Sequence, residues 1–234
     1  PTTTGFTTLD DDLRARNIES DRTIYGLGAD YHPSQSWTIA AAFRRQEQTG
    51  NKIAGGSYFT NAASLPVQID RTTDEVDVGL RYADSGFTLA LNWYLSEFDN
   101  GNTGYGWQHP FTTVPGAETA ELAASPDNRF QQIAFSAGYA FATWDTYAIM
   151  SAAIGEIEQT EPFLAYTRNA SLTTSALPRS NLAGSIDTTR YAFLLTSKPT
   201  KKSRVRVSYN YDERDNKTAQ NLWNRVIADS FISN

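Results

Sequence analysis

Apolar and polar residues alternate with a period of two through four long stretches of the chain. Such alternation marks strands with one apolar and one polar face. The clearest stretch is Thr72 to Phe98. Val76, Val78, Leu80 and Tyr82 share one side of its first arm, and Glu75, Asp77, Gly79 and Arg81 share the other. After Asp84-Ser85-Gly86, which has the polar and Gly residues of a tight hairpin turn, the pattern resumes. Phe87, Leu89, Leu91, Trp93 and Leu95 now lie opposite Thr88, Ala90, Asn92, Tyr94 and Ser96. Each arm is about eleven or twelve residues, whereas globular strands average about five or six and a tilted strand needs about 9–11 to cross a bilayer.

The same pattern predicts three more hairpins, over about 22–45, 129–157 and 187–214. In the first, Tyr25, Leu27, Ala29 and Tyr31 precede a break at His32-Pro33-Ser34, and Trp37, Ile39, Ala41 and Phe43 follow it. In the third, Ile133, Phe135, Ala137, Tyr139 and Phe141 alternate cleanly up to a turn at Ala142-Thr143. Its return arm is ambiguous, because Ala148, Met150, Ala152 and Ile154 compete with Tyr147 and Ile149 for the apolar face. In the fourth, Tyr191, Phe193 and Leu195 pair with Val205, Val207, Tyr209 and Tyr211 across the basic turn Lys198-Pro199-Thr200-Lys201-Lys202. The final stretch WNRVIADSFISN is too short to assign.

The tight turns fall near Pro33, Ser85, Thr143 and Pro199, roughly 50–60 residues apart, a spacing that also fits a kelch propeller. A propeller blade needs four strands, and each repeat here shows two. The intervening segments, about 46–71, 99–128 and 158–185, read as long polar connections. Short turns alternating with long loops characterise outer-membrane barrels and are unusual in soluble domains. Aromatic residues also gather beside the first three turns, as an interfacial girdle would. The predicted fold is therefore all-β: a transmembrane antiparallel up-and-down β-barrel, with about eight clear strands and residues 1–234 forming one barrel region.

Composition narrows the chemistry. A net charge of −6 disfavours nucleic acid as a partner. With no cysteine, disulfides, thiolate metal sites and C-x-x-C-H haem attachment are excluded within the chain. No apolar run approaches a membrane helix. The chain opens at Pro1, so it reads as processed or as a portion of a longer polypeptide. Asp10-Asp11-Asp12 lacks ligand spacing and reads as a solvated loop. Asp99 to Gly104 has Gly101 and Thr103 where an EF-hand needs ligands, and reads as a turn. His32 and His109 each neighbour a proline and read as loop residues, and no nucleophile elbow, P-loop or zinc pattern is present. The expected lumen-facing residues are Glu75, Asp77, Arg81, Asn92, Arg190, Arg204, Arg206, Asn210 and Asp212. They are candidates for contacting a lumen occupant or for ordinary cross-strand pairing.

Several segments, taken in order, resemble the MtrB/PioB outer-membrane β-barrel family. They are Leu65-Pro66-Val67 with Asp70-x-x-Thr73-Asp74-Glu75-Val76, VGLRYA at 78–83, and Ser96-x-Phe98-Asp99-Asn100. Trp107-x-x-Pro110-Phe111, Pro126-Asp127-Asn128-x-Phe130, Asp187-Thr188-Thr189 and the Tyr209 to Asn216 segment continue the match. The resemblance implies a wide, non-enzymatic barrel in the bacterial outer membrane, sheathing a periplasmic decahaem c-type cytochrome as an electron conduit. It also implies that an extracellular multihaem cytochrome can dock outside, and that the haem belongs to the partner, with no cofactor bound by this chain. Some members carry a C-x-x-C that this chain lacks. Eight strands alone would enclose an interior filled by side chains, so the chain is expected to form a section of a larger barrel, near the roughly 22-stranded size that holds a plug. The rival expectations are a diffusion porin with an open lumen and a secreted soluble β-domain.

Overall fold

Eight strands hydrogen-bond in one antiparallel sheet, in a computed structural model that describes residues 14–58, 61–108, 115–227 and 229–233. In chain order they are β1 (Ser20–Tyr31), β2 (Trp37–Tyr58), β3 (Asn61–Asp84) and β4 (Phe87–Asn100), then, after a short excursion, the remaining four. The excursion is a small hairpin, β5 (Gly104–Gln108) with β6 (Thr119–Ala123). The sheet continues through β7 (Asn128–Phe141), β8 (Thr146–Gln159), β9 (Gly184–Thr200) and β10 (Ser203–Asn216). Its order is β1-β2-β3-β4-β7-β8-β9-β10, an up-and-down meander left open with β1 and β10 as its edges. Asp10-Asp11-Asp12 and His109 lie outside the described residues.

The tight turns owe their form to local chemistry. Ser85 (φ 38°) and Gly86 (φ 87°) both adopt the left-handed conformation that suits a two-residue hairpin. The third turn is a single 3-10 turn, Thr143–Asp145, with Trp144 and Asp145 also at positive φ. In the fourth, the strand continues through Pro199, and only Lys201-Lys202 remain as the turn. The register slips by one residue between Ser203 and Val205, so Lys198 and Pro199 together oppose Arg204. Pro199 has no N–H to give the ladder, and a bulge is where a strand tolerates that loss.

One expectation fails outright. The segment 46–71, read as a polar connection, is strand almost throughout. β2 and β3 pair without a break from Trp37↔Tyr82 to Tyr58↔Asn61. Gly50, Gly55 and Gly56 interrupt the apolar alternation on β2, and on β3 it is confined to Leu65, Val67 and Ile69, of which Val67 and Ile69 are buried; the ladder pairing continues regardless. The connection 99–128 likewise contains the β5–β6 hairpin. The unassigned C-terminal stretch forms β11 (Arg225–Ile227) with β12 (Phe231–Ser233).

The long connections pack together into a cap. Trp107 donates its indole N–H to the Ser57 carbonyl, and Tyr105 its hydroxyl to the Gly55 carbonyl, bracing β5 against the extended β2–β3 hairpin. Arg168 pairs with Glu121, Phe163 packs edge-on against Trp223 at 4.7 Å, and Ser175 bonds Asn224. At the centre sits Asn169, only 3% exposed. Its amide donates to the Asp229 carbonyl at 2.6 Å, while its side-chain oxygen accepts from the Ser171 backbone at 2.9 Å. Gly116 (φ +84°) lies so close that a Cβ there would fall 2.1 Å from that oxygen.

Candidate functional site: the two faces of the sheet

Register assigns every strand residue to one of two faces. On the apolar face, one hydrogen-bonded row runs Ile39, Leu80, Leu91, Phe135, Ala152, Tyr191, Tyr211. The ambiguity in β8 is thereby settled. Ala148, Met150, Ala152 and Ile154 stand opposite Tyr139, Ala137, Phe135 and Ile133, on the apolar side. Among the described residues no layer of protein covers this face: Leu91 is 45% exposed and Ile154 57%. So large an exposed apolar surface marks a contact with another apolar phase.

Both borders of this face are chemically distinct. Toward the tight turns an aromatic chain crosses four strands. Trp37 and Tyr82 lie 4.8 Å apart, Tyr82 and Phe87 5.9 Å, Phe87 and Tyr139 6.4 Å, and Tyr139 and Phe141 4.6 Å. Toward the long connections stands a row of charges: Arg45, Asp74, Glu97, Arg129 and Glu158 in hydrogen-bonded succession. Arg45 grips Asp74 through two bonds of 2.7 and 2.5 Å. Arg129 lies 3.3 Å from Glu97 and 4.0 Å from Glu158. Between these borders β4 runs from Phe87 to Leu95, about nine residues, enough for a tilted strand to cross hydrocarbon.

The borders do not follow the hydrogen-bond rows. On β2 the apolar face spans Phe43 to Trp37, whereas on β10 it spans Tyr211 to Val205. Tyr211 is in the Ile39 row, so the band has shifted toward the tight-turn end by about four residues in six strand steps. With about 3.3 Å per residue and about 4.8 Å between strands, that corresponds to a strand tilt of roughly 25°. Strands in membrane barrels tilt by about 35–45°, and the oblique band has the same origin.

The opposite face holds all nine residues singled out from the sequence. Glu75 accepts from Arg44 at 2.6 Å and from the Tyr94 hydroxyl at 3.0 Å. Asn92 donates to Asp77 at 2.9 Å, and Arg190 pairs with Asp212 directly across β9 and β10 at 2.8 Å. Arg81, Arg204, Arg206 and Asn210 join neither cluster, and among the described residues none of the three arginines has an ion-pair partner. Sequence reading missed Arg44 and Tyr94. Their signal was alternation, since Arg44 has the parity of Ala40 and Ala42, and Tyr94 that of Asn92.

Between these clusters the polar face is smooth. One row reads Ala40, Gly79, Asn92, Ala134, Ala153, Arg190, and the next reads Ala90, Ser136, Ser151, Ala192 between Arg81 and Asn210. The sheet's own packing does not demand glycine at 79, where an added Cβ would meet Asn92 at an ordinary 3.7 Å. Gly138 is different, because a Cβ there would lie 2.6 Å from the Tyr147 hydroxyl.

The sequence model of the MtrB/PioB outer membrane beta-barrel porin family matches residues 1–234. The chain belongs to that family. A curated relative, the outer membrane protein MtrB of Shewanella baltica (strain OS185), is 28% identical over 221 residues. That match covers 93% of this chain and 30% of the relative's length, so the chain spans about a third of that protein. In this family setting the apolar face is the lipid-facing side of an outer-membrane β-barrel wall, bordered by an aromatic girdle at the tight-turn end and by charges at the other. The family is one of porin-like barrels and not of enzymes.

Proposed function

We propose that this chain is one sector of a wide outer-membrane barrel that sheathes a periplasmic multihaem c-type cytochrome and so serves as the insulating wall of a trans-membrane electron conduit. The barrel itself performs no catalysis and binds no haem; the electrons move along the partner's haems. The observation that carries the reading is the smooth polar face. An eight-stranded barrel fills its interior with its own side chains, and Ala40, Gly79, Ala134 and Ala153 cannot do that. Where these small residues stand the wall is low, which leaves the lumen wide there and lets a folded protein approach the backbone closely between the larger side chains such as Tyr94 and Gln132.

Two further features support it. Arg44 with Glu75 and Arg190 with Asp212 neutralise each other, so four of the wall's charges are satisfied within the sheet. The edges β1 and β10 also expose a row of unpaired backbone groups each, and such groups cost several kcal/mol apiece in hydrocarbon. Further strands on both sides satisfy them and widen the barrel.

The test is to extract the full-length protein from native membranes in mild detergent and record haem absorbance in its peak. Stoichiometric c-type haem supports the sheath. A haem-free barrel that conducts ions freely in planar bilayers would make it a diffusion porin.

A further inference from the structure

Within the tight turns, Lys and Arg are confined to one hairpin, while Arg81 stands apart on the polar face of β3 beside Tyr82. Lys198, Lys201, Lys202, Arg204 and Arg206 occur together at the tip of β9–β10, in a chain whose net charge is −6. The other three tight turns carry no Lys or Arg: His32 to Ser36, Asp84 to Gly86, and Ala142 to Asp145. One carboxylate reaches the cluster. Asp145, from the neighbouring turn, pairs with Lys198 and also feels the charge of Arg204. Lys201, Lys202, Arg204 and Arg206 are exposed and have no ion-pair partner among the described residues.

The tip is built to hold these charges in place. Pro199 stiffens the bulge, Thr200 and Ser203 share a 2.7 Å hydroxyl contact, and the Lys202 N–H donates to the Thr200 hydroxyl. Direction is set by alternation. Val205 and Val207 take the lipid-facing side, which places Arg204 and Arg206 on the polar face. The lipid-facing side of this end offers Phe141, Thr146, Ser197 and Val205, none of them cationic. An anionic headgroup beside the barrel would therefore find no flank of positive charge, whereas an acidic protein surface at the lumen mouth would.

We propose that the β9–β10 tip is a rotational key: the densest basic cluster at the tight-turn rim of the lumen, which recognises an acidic patch on the occupant protein and fixes its orientation about the barrel axis. This rests on the sheath reading and adds to it. Elsewhere on this wall Arg44 is paired with Glu75 and Arg190 with Asp212, and complementary charge is suited to setting register and speeding encounter.

The experiment uses the full-length barrel purified with its co-extracted haem protein, at about 0.05 M and about 0.5 M salt. The variant is K201E/K202E/R204E/R206E, with K201Q/K202Q as a milder form and folded barrel quantified by resistance to heat unfolding in detergent. The proposal predicts a haem-to-barrel ratio lowered roughly tenfold in the Glu variant at low salt. It predicts a smaller loss in the Gln variant, and partial loss from the wild type at high salt. An unchanged ratio in both variants at both salts would overturn the key and leave the sheath standing. A wild-type barrel without haem at either salt would overturn both.

Discussion

Placing an arginine at Ala137 or at Ser136 puts the same charge at nearly the same depth on opposite faces of β7. Ala137 is midway along the lipid-facing run from Ile133 to Phe141, opposite Leu89 and Met150. Ser136 is on the opposite, polar face, beside Ala90 and Ser151. Both residues are small, so neither substitution forfeits a large packed side chain, and neither faces an existing cation. Arg on the lipid face near the bilayer midplane costs about 2–4 kcal/mol, which is roughly 30- to 700-fold in the folding equilibrium. The polar-face substitution falls within about 1 kcal/mol of wild type. Guanidinium titration of the full-length barrel in lipid vesicles, followed by tryptophan fluorescence, reads both. Equal costs at the two sites, or a larger cost at Ser136, would refute the assignment of faces.

Further outcomes follow from named contacts. Asn169→Ala and Gly116→Ala remove the centre of the cap, at a local cost of about 1–3 kcal/mol, and hydrogen exchange should quicken near Pro115 and Ile227 while the ladder of β2 to β4 keeps its protection. Gly79→Leu leaves folding intact but lowers haem occupancy, whereas Gly138→Leu destabilises the barrel itself because of Tyr147 and Thr88, a split read by comparing heat resistance with haem ratio. Asp145 is held below the usual carboxylate range by its bond from Lys198. The Lys198 contact thus stabilises the turn above the unfolded carboxylate pKa of about 3.9 and is lost as pH falls through the lower folded value. A carboxyl NMR titration of Asp145 should show a depressed midpoint that returns to the ordinary range in Lys198→Met.

The hairpins were legible in the sequence where one face meets lipid and the other meets water, because only there does each residue report its side. Val76 to Tyr82 and Phe87 to Leu95 are such runs. Pattern reading failed where that contrast vanishes. Beyond Arg45 and Asp74, β2 is largely polar and broken by Gly50, Gly55 and Gly56, and on β3 only the short run Leu65, Val67, Ile69 alternates, so a continuous ladder looked like a loop. In β8 both faces are apolar, with Ile149 toward the lumen and Met150 toward lipid, and only the register with β7 separates them. That the nine polar-face candidates share one side of the sheet was recoverable from parity. Parity also gives the faces of Arg44 and Tyr94, but not that they meet Glu75, since cross-strand bonds between residues 31 and 19 positions apart require knowing how the strands align. The cap was invisible for the same reason: Asn169, Gly116 and Asp229 meet through tertiary contacts with no local signature.

The central claim is that a haem protein lies against the smooth polar face. This chain contains no cysteine, so one introduced at Ala134 or Ala153 brings a single reactive thiol to that wall. Each would carry a short photocrosslinker in native outer membranes, with Ala152→Cys as the lipid-facing control. The account predicts a haem-staining adduct from Ala134 and Ala153 and none from Ala152. Adducts without haem, together with free access of a soluble maleimide to Ala134→Cys, would contradict it.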